Sequence, residues 1–179
     1  PPPRQFQKYN LVCRAAIDEA PQFIKDDFER GCKGNRFTTT LHVLNSLVVK
    51  CSKLTKATTV YRGSSRGVLP QSFWEPDEDG VRGGVEAAFM STTTDRNVAV
   101  GYAGALEAGG SGKTPMVFEF QQGMVNRGAD ISWLSQYPHE KEILFGPLTG
   151  IEVLRTRIDG SVVVIECALS INLTALTLE

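Results

Sequence analysis

Apolar residues recur at three- and four-residue spacings through the first third of the chain and at alternate positions through most of the rest, which predicts helices first and strands later. Leu11, Ala15, Ala16 and Ile17 lead towards Phe23, Ile24 and Phe28 at mixed helical spacings. Pro21 divides them into two short helices, because a proline inside a helix loses a hydrogen bond and clashes with the preceding turn. Leu41, Leu44, Leu47, Val48 and Cys51 form the stripe of a further amphipathic helix, for which Thr38, Thr39 and Thr40 offer an N-cap. From Thr58 onward, short β-branched and aromatic runs predict strands over 59–62, 88–92, 116–120, 142–145, 152–155 and 162–168. One helix interrupts them, capped by Asp95 and carrying Val98, Ala99 and Tyr102 before a glycine-rich stretch ends it. Segments 74–84 and 103–114 read as long polar loops, and the order of helices then strands predicts an α+β domain.

Composition narrows the class. The 179 residues carry 19 Lys+Arg against 20 Asp+Glu, a net charge of -1, with 41% hydrophobic and 22% charged positions, the profile of a globular domain. No dense basic face is present to neutralise phosphates, so nucleic acid is not an expected partner. The longest uninterrupted apolar run, at 162–165, is far short of the ~20 residues that cross a bilayer, and no membrane partner is expected. Cys13, Cys32, Cys51 and Cys167 lack the CxxC pairing of redox and zinc sites and read as ordinary reduced thiols, which favours a cytoplasmic setting. A secreted protein with one or two disulfides is the alternative. The opening Pro1-Pro2-Pro3-Arg4, without initiator methionine or apolar leader, suggests a monomeric domain taken from a larger protein. One domain is expected over 1–179, helical over 1–57 and β-rich over 58–179.

Several motifs compete for the chemistry. Residues 109–114 read GGSGKT, but a phosphate loop requires glycine where Glu107 stands and a helix where Pro115 leads into a strand. His42 and His139 have no ligand partners at metal spacing, so no metal is expected. The informative stretch is Glu140-Lys141-Glu142, followed by Ile143-Leu144-Phe145. On a strand, period two would place Glu140 and Glu142 on one face, ~6.5 to 7 Å apart, a carboxylate pair of the kind that cleaves glycosidic bonds. A solvated, charged strand start is the bland alternative. Two further stretches weigh against it. Tyr61-Arg62-Gly63 closes an apolar strand with a forked cation suited to a diphosphate and a glycine that lets backbone approach a ligand. Phe89-Met90-Ser91-Thr92-Thr93 ends another strand in three hydroxyls able to bond a ribose or orient a carboxylate.

In this order and in these strand contexts, the three stretches resemble the Arg/Ser/Glu class of mono-ADP-ribosyltransferases, and specifically its NAD:arginine branch of vertebrate ectoenzymes and cholera-toxin-like toxins, because a glutamate stands two positions before the second one. The resemblance covers 58 to about 169. It implies N-terminal helices packed on two roughly perpendicular antiparallel sheets that form an NAD cleft, with NAD as substrate and no metal. It also implies a glycosyl transfer of ADP-ribose to arginine on a protein partner, with NAD hydrolysis as a side reaction. By position, Arg62 would hold the NAD phosphates and the Gly63 backbone the nicotinamide carboxamide. Ser91 would contact the nicotinamide ribose, with Thr92 and Thr93 bracing its strand. Glu142 would stabilise the cationic sugar, and Glu140 would bind and activate the acceptor guanidinium. The preceding loop, 131–139, would recognise the protein substrate through Trp133 and Tyr137. An NAD glycohydrolase, or a non-catalytic interaction module on the same fold, are the competing readings.

Overall fold

In the computed structural model, which describes residues 5–64, 69–104 and 115–171, the predicted break at Pro21 separates α1 (Gln5–Ala15) from α2 (Gln22–Cys32). The two helices lie against each other, and α2 ends where Lys33 turns left-handed and donates its N–H to the Glu29 carbonyl. The helix α3 (Thr38–Ser52) starts differently from expectation. Phe37, itself left-handed at φ 47°, occupies the N-cap position without a side-chain cap, and the three threonines form the first helical turn. The Phe37 and Tyr9 rings pack nearly perpendicular with centroids 5.4 Å apart, which ties the start of α3 to α1.

The strands follow as β1 (Thr59–Ser64), β2 (Gly83–Glu86), β3 (Met90–Thr93), β4 (Met116–Gln121), β5 (Ala129–Asp130), β6 (Glu142–Phe145), β7 (Thr149–Asp159) and β8 (Val162–Ser170). Between β3 and β4 lies α4 (Arg96–Tyr102), and the Asp95 side chain caps it as expected, accepting from the Asn97 N–H at 3.0 Å. The α+β class is borne out. Where two antiparallel sheets were expected, the eight strands of the described residues join one ladder in the order β2-β7-β8-β4-β1-β3-β6-β5, and β4 and β8 run parallel. The ladder is continuous but narrows to a single pair, Tyr61 with Thr93, between β1 and β3, whereas β1 and β4 pair along their whole length. The GGSGKT stretch lies outside the described residues.

Alternation along the central strands supplies both faces of the sheet. Phe118, Phe120, Ile165, Cys167 and Leu169 fall on one face and join Val60, Met90, Ile143 and Phe145 in the main core. Phe120 is fully buried, a burial worth about 1.5–3 kcal/mol for a side chain of this kind. On the opposite face, Val117, Val162 and Val164 receive Ala99 and Ala103 of α4. Further along that face Glu119 and Glu166 pair with Arg157, and Glu166 also with Arg155. The four cysteines carry free thiols. Burial pushes Cys13 up to about 11 and Cys167 up to about 12, which keeps both protonated and unreactive at neutral pH.

Gly63 decides where α4 sits. A Cβ there would lie 2.0 Å from the Ala99 carbonyl oxygen and 2.7 Å from the Ala103 nitrogen, both backbone atoms that cannot swing aside. Its lack of a side chain therefore serves helix packing, a reason the sequence reading did not give. Gly63→Ala is expected to lower the unfolding free energy by about 1–3 kcal/mol or more through overpacking, read as a reduced denaturation midpoint.

Candidate active site

Beyond the single Tyr61–Thr93 pair, β1 and β3 no longer share backbone hydrogen bonds. A cavity of about 1220 Å³ is lined there by Arg62, Gly63, Ser91, Tyr102, Glu140 and Glu142, with residues of α1 and α3 along one flank. Arg62 bridges the two strands: its Nη1 donates to the Ser91 carbonyl at 2.9 Å, supplying a bond that a neighbouring strand would otherwise give. Its Nη2 lies 3.6 Å from Glu86 Oε2. Burial pulls the Arg62 guanidinium below its ordinary value and the Glu86 carboxylate opposes this, so the group remains a cation.

Glu86 was not singled out in the sequence. Its carboxylate also receives Arg14 Nη2 of α1 at 3.1 and 3.2 Å, and the Ala88 N–H at 3.1 Å. One carboxylate thus joins α1, β1 and the approach to β3, and offsets two guanidinium charges that would otherwise repel. No local pattern marks it, since Arg14 lies 72 residues away.

The carboxylate pair is reached by a different route from the one predicted. Only Glu142 belongs to a strand; Glu140 ends a 3-10 turn over Pro138–Glu140, and Lys141 between them is left-handed at φ 47°. Pro138 opens that turn with its fixed φ, and the Glu140 N–H closes on the Tyr137 carbonyl at 2.9 Å. Both carboxylates line the cleft nonetheless, brought there by turn geometry and not by strand alternation. The hydroxyls that follow Ser91 tie β3 to this segment: Thr92 Oγ1 donates to the Ile143 carbonyl at 2.8 Å, and Thr93 Oγ1 to the Glu140 carbonyl at 2.6 Å. Tyr102, at the end of α4, donates its hydroxyl to Glu140 Oε1 at 2.5 Å.

The two aromatic residues of the preceding loop part company. Tyr137 lines the cleft, its ring nearly perpendicular to that of His139 with centroids 6.1 Å apart. Trp133 is 73% exposed, donates Nε1–H to the Asp130 carbonyl, and is not among the cleft-lining residues. Among the described residues no three His, Cys, Asp or Glu side chains converge as a metal site would require.

No protein-family model matches the chain, and no curated protein matches it in sequence. Solved structures do match in fold. The ADP-ribosyltransferase Vis in complex with agmatine, a toxin from Vibrio splendidus, superposes with a TM-score of 0.61 at 21% identity, covering 92% of this chain and 68% of that one. The ADP-ribosyltransferase HopU1 of Pseudomonas syringae pv. Tomato gives 0.63 at 22% identity, covering 92% and 64%. The Clostridium limosum C3 exoenzyme gives 0.51 at 15% identity, covering 93% and 80%. The chain therefore has the fold of the mono-ADP-ribosyltransferases. It spans 64–68% of the length of Vis and HopU1.

Proposed function

We propose that the chain transfers ADP-ribose from NAD to arginine side chains of a protein and releases nicotinamide. The observation that carries this reading is the convergence of Arg62, Ser91, Glu140 and Glu142, from three distant segments, on one cleft of this fold. A cavity of about 1220 Å³ exceeds the ~300–1,000 Å³ of ordinary small-molecule sites, as an extended dinucleotide needs. Agmatine, bound in the Vis structure, ends in the same guanidinium as arginine and supports this acceptor class.

The chemistry follows from the leaving group. Nicotinamide in NAD is already cationic and departs neutral, so the bond breaks without a general acid; what must be stabilised is the positive charge left on the ribose. Glu142, fixed at the start of β6, supplies a negative charge preorganised for that moment. Ser91, one strand away, offers a hydroxyl to the same ribose. Glu140 is the carboxylate for the incoming guanidinium: it orients the fork and takes its proton as the new C–N bond forms. With water in place of arginine, the same cation gives ADP-ribose, which is the hydrolytic side reaction.

Arg62 anchors the diphosphate in this scheme. Arg62→Ala is expected to raise KM for NAD by about ten- to a hundredfold with a smaller change in kcat, since a hydrogen bond to a charged group is worth ~1.5–3 kcal/mol. Steady-state kinetics over NAD concentration check it, and Arg62→Lys should recover little, because an ammonium lacks the fork.

The direct test is incubation of the protein with labelled NAD and agmatine. Label on agmatine together with released nicotinamide is the expected result. Nicotinamide release without labelled agmatine would assign the protein to NAD hydrolysis, and no consumption of NAD would make it a binding module.

A further inference from the structure

We infer that Tyr102 is a positioning residue for the acceptor carboxylate: it holds Glu140 in the orientation from which the incoming guanidinium is received. The inference rests on the arginine-transfer reading above and deepens it.

Beyond the turn's own backbone bonds, four contacts from residues 93–102 hold the turn that carries Glu140, and they divide by what they hold. Thr93 Oγ1 bonds the Glu140 carbonyl at 2.6 Å, the Thr94 N–H bonds the Lys141 carbonyl at 3.3 Å, and Lys141 Nζ lies 3.8 Å from Asp95 Oδ2. Two of these hold backbone and the third holds the lysine, so none sets the direction of the Glu140 side chain. Tyr102 does: its hydroxyl, at the last residue of α4, donates to Oε1 at 2.5 Å. A glutamate at the end of a turn otherwise samples several rotamers, at a cost in entropy each time it must meet a guanidinium. With Oε1 engaged, the rotamer is chosen and Oε2 remains for the acceptor.

Tyr102 can do this only because α4 is docked in a fixed place. The absence of a Cβ at Gly63 lets the Ala99–Ala103 backbone rest on β1. The glycine next to the diphosphate-binding candidate Arg62 thus sets the helix whose last residue reaches the acceptor side of the cleft. The hydrogen bond to Glu140, with the Glu140 and Glu142 charges nearby, pushes the phenol up to about 12. It therefore stays a donor throughout the neutral range. Tyr102 as a residue is 59% exposed and lines the cleft, so removing the hydroxyl leaves no buried hole.

The test compares the parent protein with Tyr102→Phe, measuring for each the transfer of labelled ADP-ribose to agmatine, the hydrolysis of NAD and the thermal midpoint. Expected is a fall of about ten- to a hundredfold in kcat/KM for agmatine, the range that a charge-assisted hydrogen bond spans, so that the ratio of transfer to hydrolysis drops at an unchanged midpoint. In a Glu140→Ala background, where there is no carboxylate to orient, Tyr102→Phe should cost nothing further. Transfer to agmatine at the parental rate would overturn the assignment, as would an equal loss of transfer and hydrolysis, which would mark the residue as structural. A parent that consumes NAD without labelling agmatine would instead sink the arginine reading, and this assignment with it.

Discussion

Replacing Glu142 by glutamine is expected to lower NAD hydrolysis and ADP-ribosyl transfer together, each by at least a hundredfold in kcat, with little change in KM for NAD. The effect is electrostatic. A unit negative charge about 4 Å from a developing positive one is worth ~4 kcal/mol at the effective dielectric of a partly exposed protein site, close to three orders of magnitude in rate. Glutamine keeps the shape and one acceptor oxygen, so ground-state contacts to a ribose survive while the charge does not. In the proposed reaction the cation forms before any acceptor is chosen, so both products must fall together. Glu142 opens β6, paired with Thr93 across β3, and Ile143 behind it is buried, so the variant should fold normally. Rapid-quench measurement of nicotinamide release, with circular dichroism as the control for folding, decides the point. A variant that hydrolyses NAD at the parental rate would remove Glu142 from the chemistry.

Glu140→Gln should behave differently, and the difference is the sharper prediction. NAD hydrolysis is expected to persist within a few-fold of the parent, while transfer to agmatine falls by about two to four orders of magnitude, the usual worth of a positioned general base. The amide still accepts a hydrogen bond, and Tyr102 can still donate to its carbonyl oxygen, so the turn should be preserved. What is lost is the negative charge that draws a guanidinium and takes its proton. Parallel assays of nicotinamide release and labelled agmatine separate the outcomes. Equal loss of both would contradict the division of labour between the two glutamates.

Some local features of this protein were legible in its sequence, whereas the α3 cap, the turn at Glu140 and the long-range contacts were not. The break at Pro21 and the Asp95 cap of α4 involve neighbouring residues, and both stand where the pattern put them. The longer strands announced themselves by alternation. β2 and β5 did not: Gly83-Gly84-Val85-Glu86 and Ala129-Asp130 are too short or too glycine-rich to carry a period. Glu140-Lys141-Glu142 misled in an instructive way, because alternating charge looks the same on a strand as on a turn. Pro138 two residues earlier was the signal that the chain bends there, and the left-handed Lys141 completes the bend. The partners of Arg62 and Glu140 were invisible for a simpler reason. Glu86 reaches Arg62 from β2, which pairs with β7, and Tyr102 reaches Glu140 from the end of α4, and sequence distance conceals both. Trp133, which the resemblance paired with Tyr137 for substrate recognition, is exposed outside the cleft lining and donates its indole N–H to the Asp130 carbonyl.

In the proposed function one dinucleotide spans Arg62 and Glu142, and a structure of the protein with a non-hydrolysable NAD analogue measures this directly. The expected density places a phosphate oxygen within hydrogen-bond distance of the Arg62 guanidinium and the 2'-hydroxyl of the nicotinamide ribose within hydrogen-bond distance of the Glu142 carboxylate. An analogue bound elsewhere on the molecule, or bound in the cleft with its nicotinamide ribose remote from Glu142, would contradict it.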